Sequence, residues 1–185
     1  MNSTSESIRI RRCRVANHSF CIEASSVAIT LEADIWKRHA VEDGLGCWTK
    51  LTGPGGEVPV CDLGKCLGIR PGEQNRDLVA AVLHSMPTPW AMLVDHVSDV
   101  QIVPVHCLRK FRDNSGESRG DRFLKGWIPF NVKTLHPISD PEVDASLVMH
   151  SWMIETDKLC VSGIVDDQNL INRFQALSVS AIHDS

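Results

Sequence analysis

The chain has 185 residues, which suggests a single domain, and its 43% apolar and 23% charged content is that of an ordinary globular protein. The formal net charge is −4 and no long basic run is present, which argues against nucleic acid or an anionic membrane as a partner. No apolar run reaches the ~20 residues that span a bilayer, and residues 1–12 lack the apolar core of a secretory signal. We therefore expect a cytoplasmic protein without direct membrane insertion.

The first third of the chain alternates short apolar segments with turn residues. Residues 1–7 are rich in Ser and Thr and are expected to be disordered. Asn17-His18 is a plausible hairpin turn, and the segment from 32 to 43 is compatible with either a helical face or an irregular linker. The predicted strands are 8–16, 19–22, one in which Val27, Ile29 and Leu31 alternate, and 45–51.

Four arginines fall within the first predicted strand, and seven cysteines are spread along the chain. We interpret the arginines as a solvated strand face or a frayed end. The cysteine count is odd and no C-x-x-C pair occurs, so free and mostly buried thiols in a reducing compartment are expected. The arginines are Arg9, Arg11, Arg12 and Arg14, and the cysteines are Cys13, Cys21, Cys47, Cys61, Cys66, Cys107 and Cys160.

The central third carries the clearest local signals. Residues 52–56 and 86–89 have the Gly and Pro content of turns. Asp62 can cap a short helix whose Leu63 and Leu67 share one face, and Gly68 can end that helix. The predicted strands of this third are 58–60, 78–83, 91–94 and 97–103.

The last third is interrupted by polar and proline-rich segments. Residues 112–121 read as an exposed loop, and 135–144 as a second loop. Strands are predicted at 123–132, where Pro129 breaks the strand, and at 147–154 and 159–165, with 155–158 as the hairpin turn between these last two. Asp166 or Asp167 can begin a final helix that places Leu170, Ile171, Phe174 and Leu177 on one face, and 178–185 is expected to fray. Many short strands with Gly and Pro turns predict a mainly β fold, a sandwich or a barrel.

No pattern in the chain identifies a catalytic or cofactor site. His106 and Cys107 are adjacent, but neighbours on a strand face opposite ways and a dyad needs hydrogen-bond reach. The eight histidines form no recognised metal-ligand spacing, and Asp166-Asp167 fit a helix N-terminus better than acid–base chemistry. We therefore predict no catalytic residue, no metal and no cofactor. A small enzyme that uses a free thiol is the alternative from another class.

Asp95 stands between two apolar strand segments, after Met92-Leu93-Val94 and before Val97. A carboxylate at such a position is either exposed at a turn or hydrogen-bonded to backbone N–H groups. A structural role in fixing the turn and a direct contact with a partner both remain open at this point.

Two segments carry a resemblance to a known family. Pro59-Val60-Cys61-Asp62-Leu63 followed by Leu67-Gly68, and Leu93-Val94-Asp95-His96-Val97 continuing to Val100, resemble the paired motifs of the CheW-like domain. That domain is the adaptor that links chemoreceptors to the CheA histidine kinase. Weaker matches are Ser19-Phe20-Cys21-Ile22-Glu23 with Val27, and Asp157-Lys158-Leu159 through Ile164 with Asp166 and Leu170. The interval from 101 to 156 is longer than the family pattern leads us to expect.

The chain departs from the family pattern at two places. An Asn-Leu-Arg-Gly turn usually precedes the Pro-Val strand, but here the position reads Thr52-Gly53-Pro54-Gly55 and its arginine is absent. The family also tends to place a Glu shortly after the opening Val, whereas Val27 is followed by Ala28, Ile29 and Thr30. These departures leave open an alternative, in which the domain still binds proteins but no longer couples a kinase.

The resemblance implies two small five-stranded β-barrels around a shared core, spanning residues 8–177, with a short C-terminal helix and no catalysis. It further implies two partners, the regulatory domain of a CheA-type kinase and the cytoplasmic tip of a chemoreceptor. The residues that it nominates are Val27, Val60, Asp62 and Leu63 for the kinase-facing barrel, and Val94, Asp95 and Val97 for the receptor-facing groove.

Overall fold

The computed structural model describes residues 6–45, 48–53, 56–69, 77–84, 89–110, 124–139 and 144–159. Its strands are β1 (Ser7–Val15), β2 (His18–Glu23), β3 (Val27–Leu31), β4 (Ala40–Leu45), β5 (Trp48–Gly53), β6 (Gly56–Asp62), β7 (Val79–Leu83), β8 (Trp90–Val94), β9 (His96–Pro104), β10 (Arg109–Lys110), β11 (Leu124–Asn131) and β12 (Val148–Ile154). The helical segments are α1 (Ala33–Trp36), α2 (Leu63–Cys66), a turn at 156–159, and 3-10 segments at Ala24–Ser26, Lys37–His39, Val105–Cys107 and Ala145–Leu147. No helix in these ranges is long and apolar enough to cross a membrane.

The strands form two sheets, each of which builds one lobe of the domain. Lobe A contains the order β10-β11-β12-β2-β1-β9, and lobe B the order β3-β7-β8-β6-β5-β4. The mainly β prediction is confirmed, with six strands per sheet in the described chain where five were expected.

The two sheets share one topology. Each sheet contains a three-strand meander, β10–β12 in lobe A and β4–β6 in lobe B, and a hairpin, β1–β2 in lobe A and β7–β8 in lobe B. The last strand of the meander pairs in parallel with one strand of the hairpin, β12 with β2 and β6 with β8. The hairpin's other strand pairs with the remaining edge strand, β9 or β3. A short helical link then joins the two edges of each sheet, through 105–108 in lobe A and 32–39 in lobe B. Because these links are short, each sheet must curl until its edges approach one another, as in a small barrel.

Three apolar cores hold the lobes together. Along β8, Trp90, Met92 and Val94 point into a core shared by both lobes, whereas Ala91 and Leu93 point into the core of lobe B. Strand β2 divides in the same way, with Phe20 and Ile22 in the shared core and Cys21 in the core of lobe A. Strands buried on both faces read as continuous apolar runs rather than as an alternation. The predicted pair of lobes around a shared core is therefore confirmed.

The local signals around α2 were read correctly. The Asp62 carboxylate accepts the backbone N–H of Lys65 at 3.1 Å and caps the helix. Gly68 has a φ of 66° and ends it, while the N–H of Ile69 reaches back to the carbonyl of Gly64 at 2.9 Å. This is the glycine C-terminal motif that satisfies the last helical carbonyls.

Two turn predictions were wrong. Val15 pairs with His18, so the β1–β2 loop is Ala16-Asn17 rather than Asn17-His18, and Ala16 takes the left-handed φ of 52°. The expected hairpin turn at 155–158 is instead the start of a helical turn, in which the N–H of Leu159 donates to the carbonyl of Glu155 at 3.0 Å. Asp157-Lys158 is common in hairpins, but it is equally compatible with the helical turn that residues 156–159 form here.

Pro129 does not break its strand, contrary to expectation. It lies within β11 opposite His150 of β12, and its carbonyl accepts the N–H of Ile138 at 2.8 Å on the other side. In an antiparallel ladder the N–H and C=O of one residue point to the same side. The donor that proline lacks would therefore have pointed away from β12, and no β11–β12 hydrogen bond is lost.

The ambiguous segment and the first alternating strand are also resolved. Residues 33–39 form α1 and a 3-10 turn, in which Trp36 is buried and donates its Nε1–H to the carbonyl of Leu78 at 2.7 Å, whereas Ile35 is exposed. In β3 a register shift next to Val27 leaves Ile29 53% exposed, so the predicted alternation holds only for Val27 and Leu31. The predicted disorder over 1–7 is wrong at its end, because Ser7 begins β1 and the Glu6 carbonyl accepts the N–H of Val105 at 2.9 Å. Residues 1–5, the turn at 86–88, the loop at 112–121, the predicted strand from 160 to 165, and the final helix and tail lie outside the described residues.

The shared core predicts a large stability effect at Met92, which is fully buried there. Met92→Ala should lower the free energy of unfolding by about 2–5 kcal/mol, since it removes buried methylene and sulfur contacts and leaves a cavity. Ile29→Ala on exposed β3 should change it by less than about 0.5 kcal/mol. Denaturant unfolding of both variants measures the difference, and equal effects would contradict the shared core.

Candidate interaction surfaces

Asp95 fixes the point at which the chain crosses from lobe B to lobe A. It lies between β8 and β9, its carboxylate Oδ2 accepts the backbone N–H of Ala16, and its own N–H donates to the carbonyl of Arg14 at 2.8 Å. The carboxylate therefore stabilises the left-handed Ala16 at the tip of the β1–β2 hairpin. Of the two alternatives that the sequence left open, hydrogen bonding to backbone is present, and partner contact stays a prediction.

The nominated apolar residues differ sharply in exposure. Val60, Leu63 and Val94 have no exposed surface, and they lie in the lobe B core or in the shared core. Val27 and Val97 are half-buried at the rim of the shared core. Direct partner contact stays a prediction for the whole set, and only the half-buried residues offer surface for it.

The structure also changes the lobe to which Val94 belongs. The sequence interpretation placed 59–63 in one lobe and 94–97 in the other. Val94 ends β8, which pairs with β6 through Asp62 and Leu93, so Val94 and Val60 belong to the same sheet. Only Val97, on β9, belongs to lobe A, and the junction therefore runs through Asp95 itself.

An exposed apolar strip on β9 was missed by the sequence reasoning. From the half-buried Val97 the strip continues to Val100, 36% exposed, and to Ile102, 67% exposed. Arg11 lies opposite Val100 and Arg9 opposite Ile102 on β1. We call these five residues the β9 strip.

A bulge explains why alternation did not reveal the strip. Cys13 pairs with Val97 and Arg11 with Val100, so β9 holds one residue more than β1 between these two pairs. Because of this extra residue, the face of β9 that carries Val97 continues with the even-numbered residues Val100 and Ile102. Strict alternation from Val97 would place Asp99 and Gln101 on this face, and only the pairing with β1 shows that Val100 and Ile102 lie there instead.

The described thiols are poorly suited to nucleophilic chemistry. Cys13, Cys21, Cys61, Cys66 and Cys107 are reduced and buried, as predicted for these five. Burial raises the pKa of Cys13 and of Cys107, and it raises the pKa of Cys21 to about 12. A thiol with a raised pKa is almost wholly protonated near neutral pH and reacts slowly.

The adjacent His106-Cys107 pair does not form a dyad, because Cys107 is buried in the lobe A core while His106 is exposed. Within the described ranges no cluster of three or more His, Cys, Asp or Glu side chains could hold a metal ion.

Asp95→Ala should lower the free energy of unfolding by about 1–3 kcal/mol, since it leaves the Ala16 N–H without its acceptor. Asp99→Ala, on exposed β9, is the matched control and should change it by less than about 0.5 kcal/mol. Thermal and denaturant unfolding measure both. A variant of Asp95 that keeps its melting temperature and loses a partner would show that the carboxylate serves recognition instead.

Alkylation of the folded chain by iodoacetamide should be slow at all five described cysteines, because each is buried, and the raised pKa of Cys13, Cys21 and Cys107 slows those three further. Peptide mass spectrometry measures the rate at each site, and labelling in denaturant is the control. One of these five reacting as fast as an exposed thiol would support the thiol-enzyme alternative.

The comparisons with known proteins agree with this geometry. The model of the CheW-like domain matches residues 10–142, which include the first three resembling segments but not the one that begins at Asp157. The crystal structure of the scaffolding protein TtCheW from Thermoanaerobacter tengcongensis superposes with a TM-score of 0.58 at 13% identity, covering 86% of this chain and 91% of that one. No curated protein matches the chain. The family model spans well over half of the residues, and the chain therefore belongs to the CheW-like domain family, a family of chemotaxis scaffolds and adaptors.

Proposed function

We propose that the chain is a cytoplasmic signalling adaptor that couples a chemoreceptor or another sensor to a CheA-type histidine kinase. The observation that carries this proposal is the family match over residues 10–142 on a domain whose two lobes have the same topology. A two-lobed domain of this kind presents separate surfaces and can hold two partners at once.

The receptor contact is assigned to the β9 strip, which extends the predicted groove at Val97. Ile102 is the most exposed large apolar side chain of the described chain, at 67%. It lies beside Arg9, which has no described carboxylate partner. Apolar anchors flanked by arginine are typical of protein interfaces.

The kinase contact is assigned to lobe B, near Val27 and Asp62. Ile29 is exposed on the edge strand β3, two residues after Val27, within the stretch where the family tends to carry a Glu. The buried Val60 and Leu63 act indirectly here, because their packing in the cores holds β6 and α2 in place.

A second candidate function follows from the β5–β6 hairpin. Gly53 pairs with Gly56 at the position of the family's arginine-containing turn, and this chain has no arginine there. The second candidate is a CheW-like module that binds the sensor or another protein but no longer couples the kinase. Binding to the regulatory domain of the kinase separates the two functions.

Binding of the purified chain to both partners from the same cell tests the proposal. Isothermal titration with the kinase regulatory domain and with a receptor cytoplasmic fragment should detect both complexes. Ile102→Glu should weaken receptor binding by about tenfold or more, since it places a charge in an apolar contact. It should leave kinase binding unchanged. Ile35→Glu, at an isoleucine of α1 that is also exposed, at 43%, is the control.

A chain that binds neither the kinase domain nor the receptor fragment would overturn the proposal. A pull-down from native lysate that recovers neither a histidine kinase nor a receptor would do the same. Receptor binding that is retained by Ile102→Glu would remove the β9 strip from the interface. Receptor binding without kinase binding would favour the second candidate function.

A further inference from the structure

A second surface that carries arginines lies on the opposite face of β1 from the β9 strip. Side chains alternate along β1, so Arg12 and Arg14 lie on the same face of the strand as Ile10, which packs in the core of lobe A. There they line an open cleft of about 940 Å³. This volume is within the range of ligand sites and accommodates several side chains of a peptide.

Arg12 is held in a fixed position by three contacts. Its Nε–H donates to Oε1 of Gln101 at 2.9 Å, its guanidinium lies 5.1 Å from the ring centroid of the buried Phe130, and its backbone N–H donates to the hydroxyl of Ser98 at 2.9 Å. The terminal nitrogens of the guanidinium have no acceptor among the described residues. An arginine that is stacked and bonded through Nε loses little further entropy when its fork binds a carboxylate.

The acidic side chains of the cleft are already in use. The Asp95 carboxylate accepts the Ala16 N–H, and Asp77 forms an ion pair with Lys37 at 3.3 Å. Neither Arg12 nor the exposed Arg14 has a carboxylate partner in the described chain. Burial lowers the pKa of His18, another lining residue, and its imidazole is therefore neutral near pH 7. The lining side chains carry two positive charges, on Arg12 and Arg14, and two negative charges, on Asp77 and Asp95, so attraction for a carboxylate comes from the unoccupied Arg12 fork rather than from a net positive charge.

One wall of the cleft is apolar. It is formed by Met149 at the start of β12 and by Leu135 in the connection that leads from β11 to β12. The Asn131 side chain accepts the N–H groups of Lys133 and Thr134, and the Leu135 N–H donates to the Asn131 carbonyl at 2.8 Å. This turn holds Leu135 in a left-handed conformation with 40% of its surface exposed.

We propose that this cleft binds an acidic segment of a partner protein, with a Glu or Asp side chain on the Arg12 fork and a neighbouring apolar side chain against Leu135 and Met149. The anchored Arg12 fork, whose terminal nitrogens have no acceptor in the described chain, selects a carboxylate. The apolar wall favours a peptide over a small anion, because only a peptide has an apolar side chain that can pack against Leu135 and Met149. The openness of the cleft suits an extended segment rather than an enclosed small molecule. The site shares Asp95 with the predicted receptor-facing groove, but it contains no residue of the β9 strip.

The test is an NMR titration of the ¹⁵N-labelled full chain with the capped peptide acetyl-Gly-Glu-Leu-Glu-Gly-amide. We expect saturable shifts of the Arg12 Nε–Hε signal and of the Arg12 and Ser98 amides, which weaken as salt is added. The corresponding Gln-Leu-Gln and Glu-Ser-Glu peptides, and inorganic phosphate alone, should each give markedly smaller shifts.

The variants separate this site from the β9 strip. Arg14→Glu, on the cleft face, should weaken peptide binding by about tenfold, the loss expected for a charge-assisted contact. Arg9→Glu, on the same strand but the opposite face, should leave it unchanged. Arg12→Lys keeps the charge but loses the fork, and it should weaken binding relative to the wild type.

Three results would overturn the proposal. They are the absence of a saturable shift with the Glu-Leu-Glu peptide, equal shifts with the Gln-Leu-Gln peptide or with phosphate, and equal effects of Arg14→Glu and Arg9→Glu. Because receptor and kinase are absent from this experiment, its outcome is independent of whether the adaptor function holds.

Discussion

The fold depends on central strands that are buried on both faces. Strands β2 and β8 each send alternate side chains into the shared core and into the core of their own lobe. Neither lobe could therefore be removed without exposing the apolar face of the other, and the two lobes should unfold together. Asp95 connects the last residue of β8 to the tip of the β1–β2 hairpin, so the crossover between lobes is held by backbone hydrogen bonds as well as by packing.

This arrangement confines recognition to the outer parts of the domain. The centre of each sheet is occupied by packing, and only edges, hairpin tips and lobe ends remain available to partners. Strand β1 is an example. Arg9 and Arg11 belong to the β9 strip, whereas Arg12 and Arg14 line the lobe A cleft on the opposite face. One strand thereby places arginines on two separate surfaces of different shape.

Local sequence signals predicted local structure well, and pairwise constraints were not visible in them. The α2 cap was predictable because Asp62 and Gly68 act on their own neighbours. The β9 strip was not, because the bulge is a property of the pairing between β9 and β1. Pro129 was misread because its tolerance depends on which side of β11 carries β12. Motif residues such as Val60 and Leu63 were nominated for binding, yet they lie in the cores, since a family motif records packing as strongly as contact.

The central claim is that this chain holds a sensor and a kinase at the same time. Analytical ultracentrifugation of the chain with a receptor cytoplasmic fragment and the kinase regulatory domain, each carrying a different chromophore, tests it most directly. The adaptor function predicts one sedimenting species that contains all three chromophores. Two binary complexes that exclude one another, or a chain that sediments alone, would contradict it.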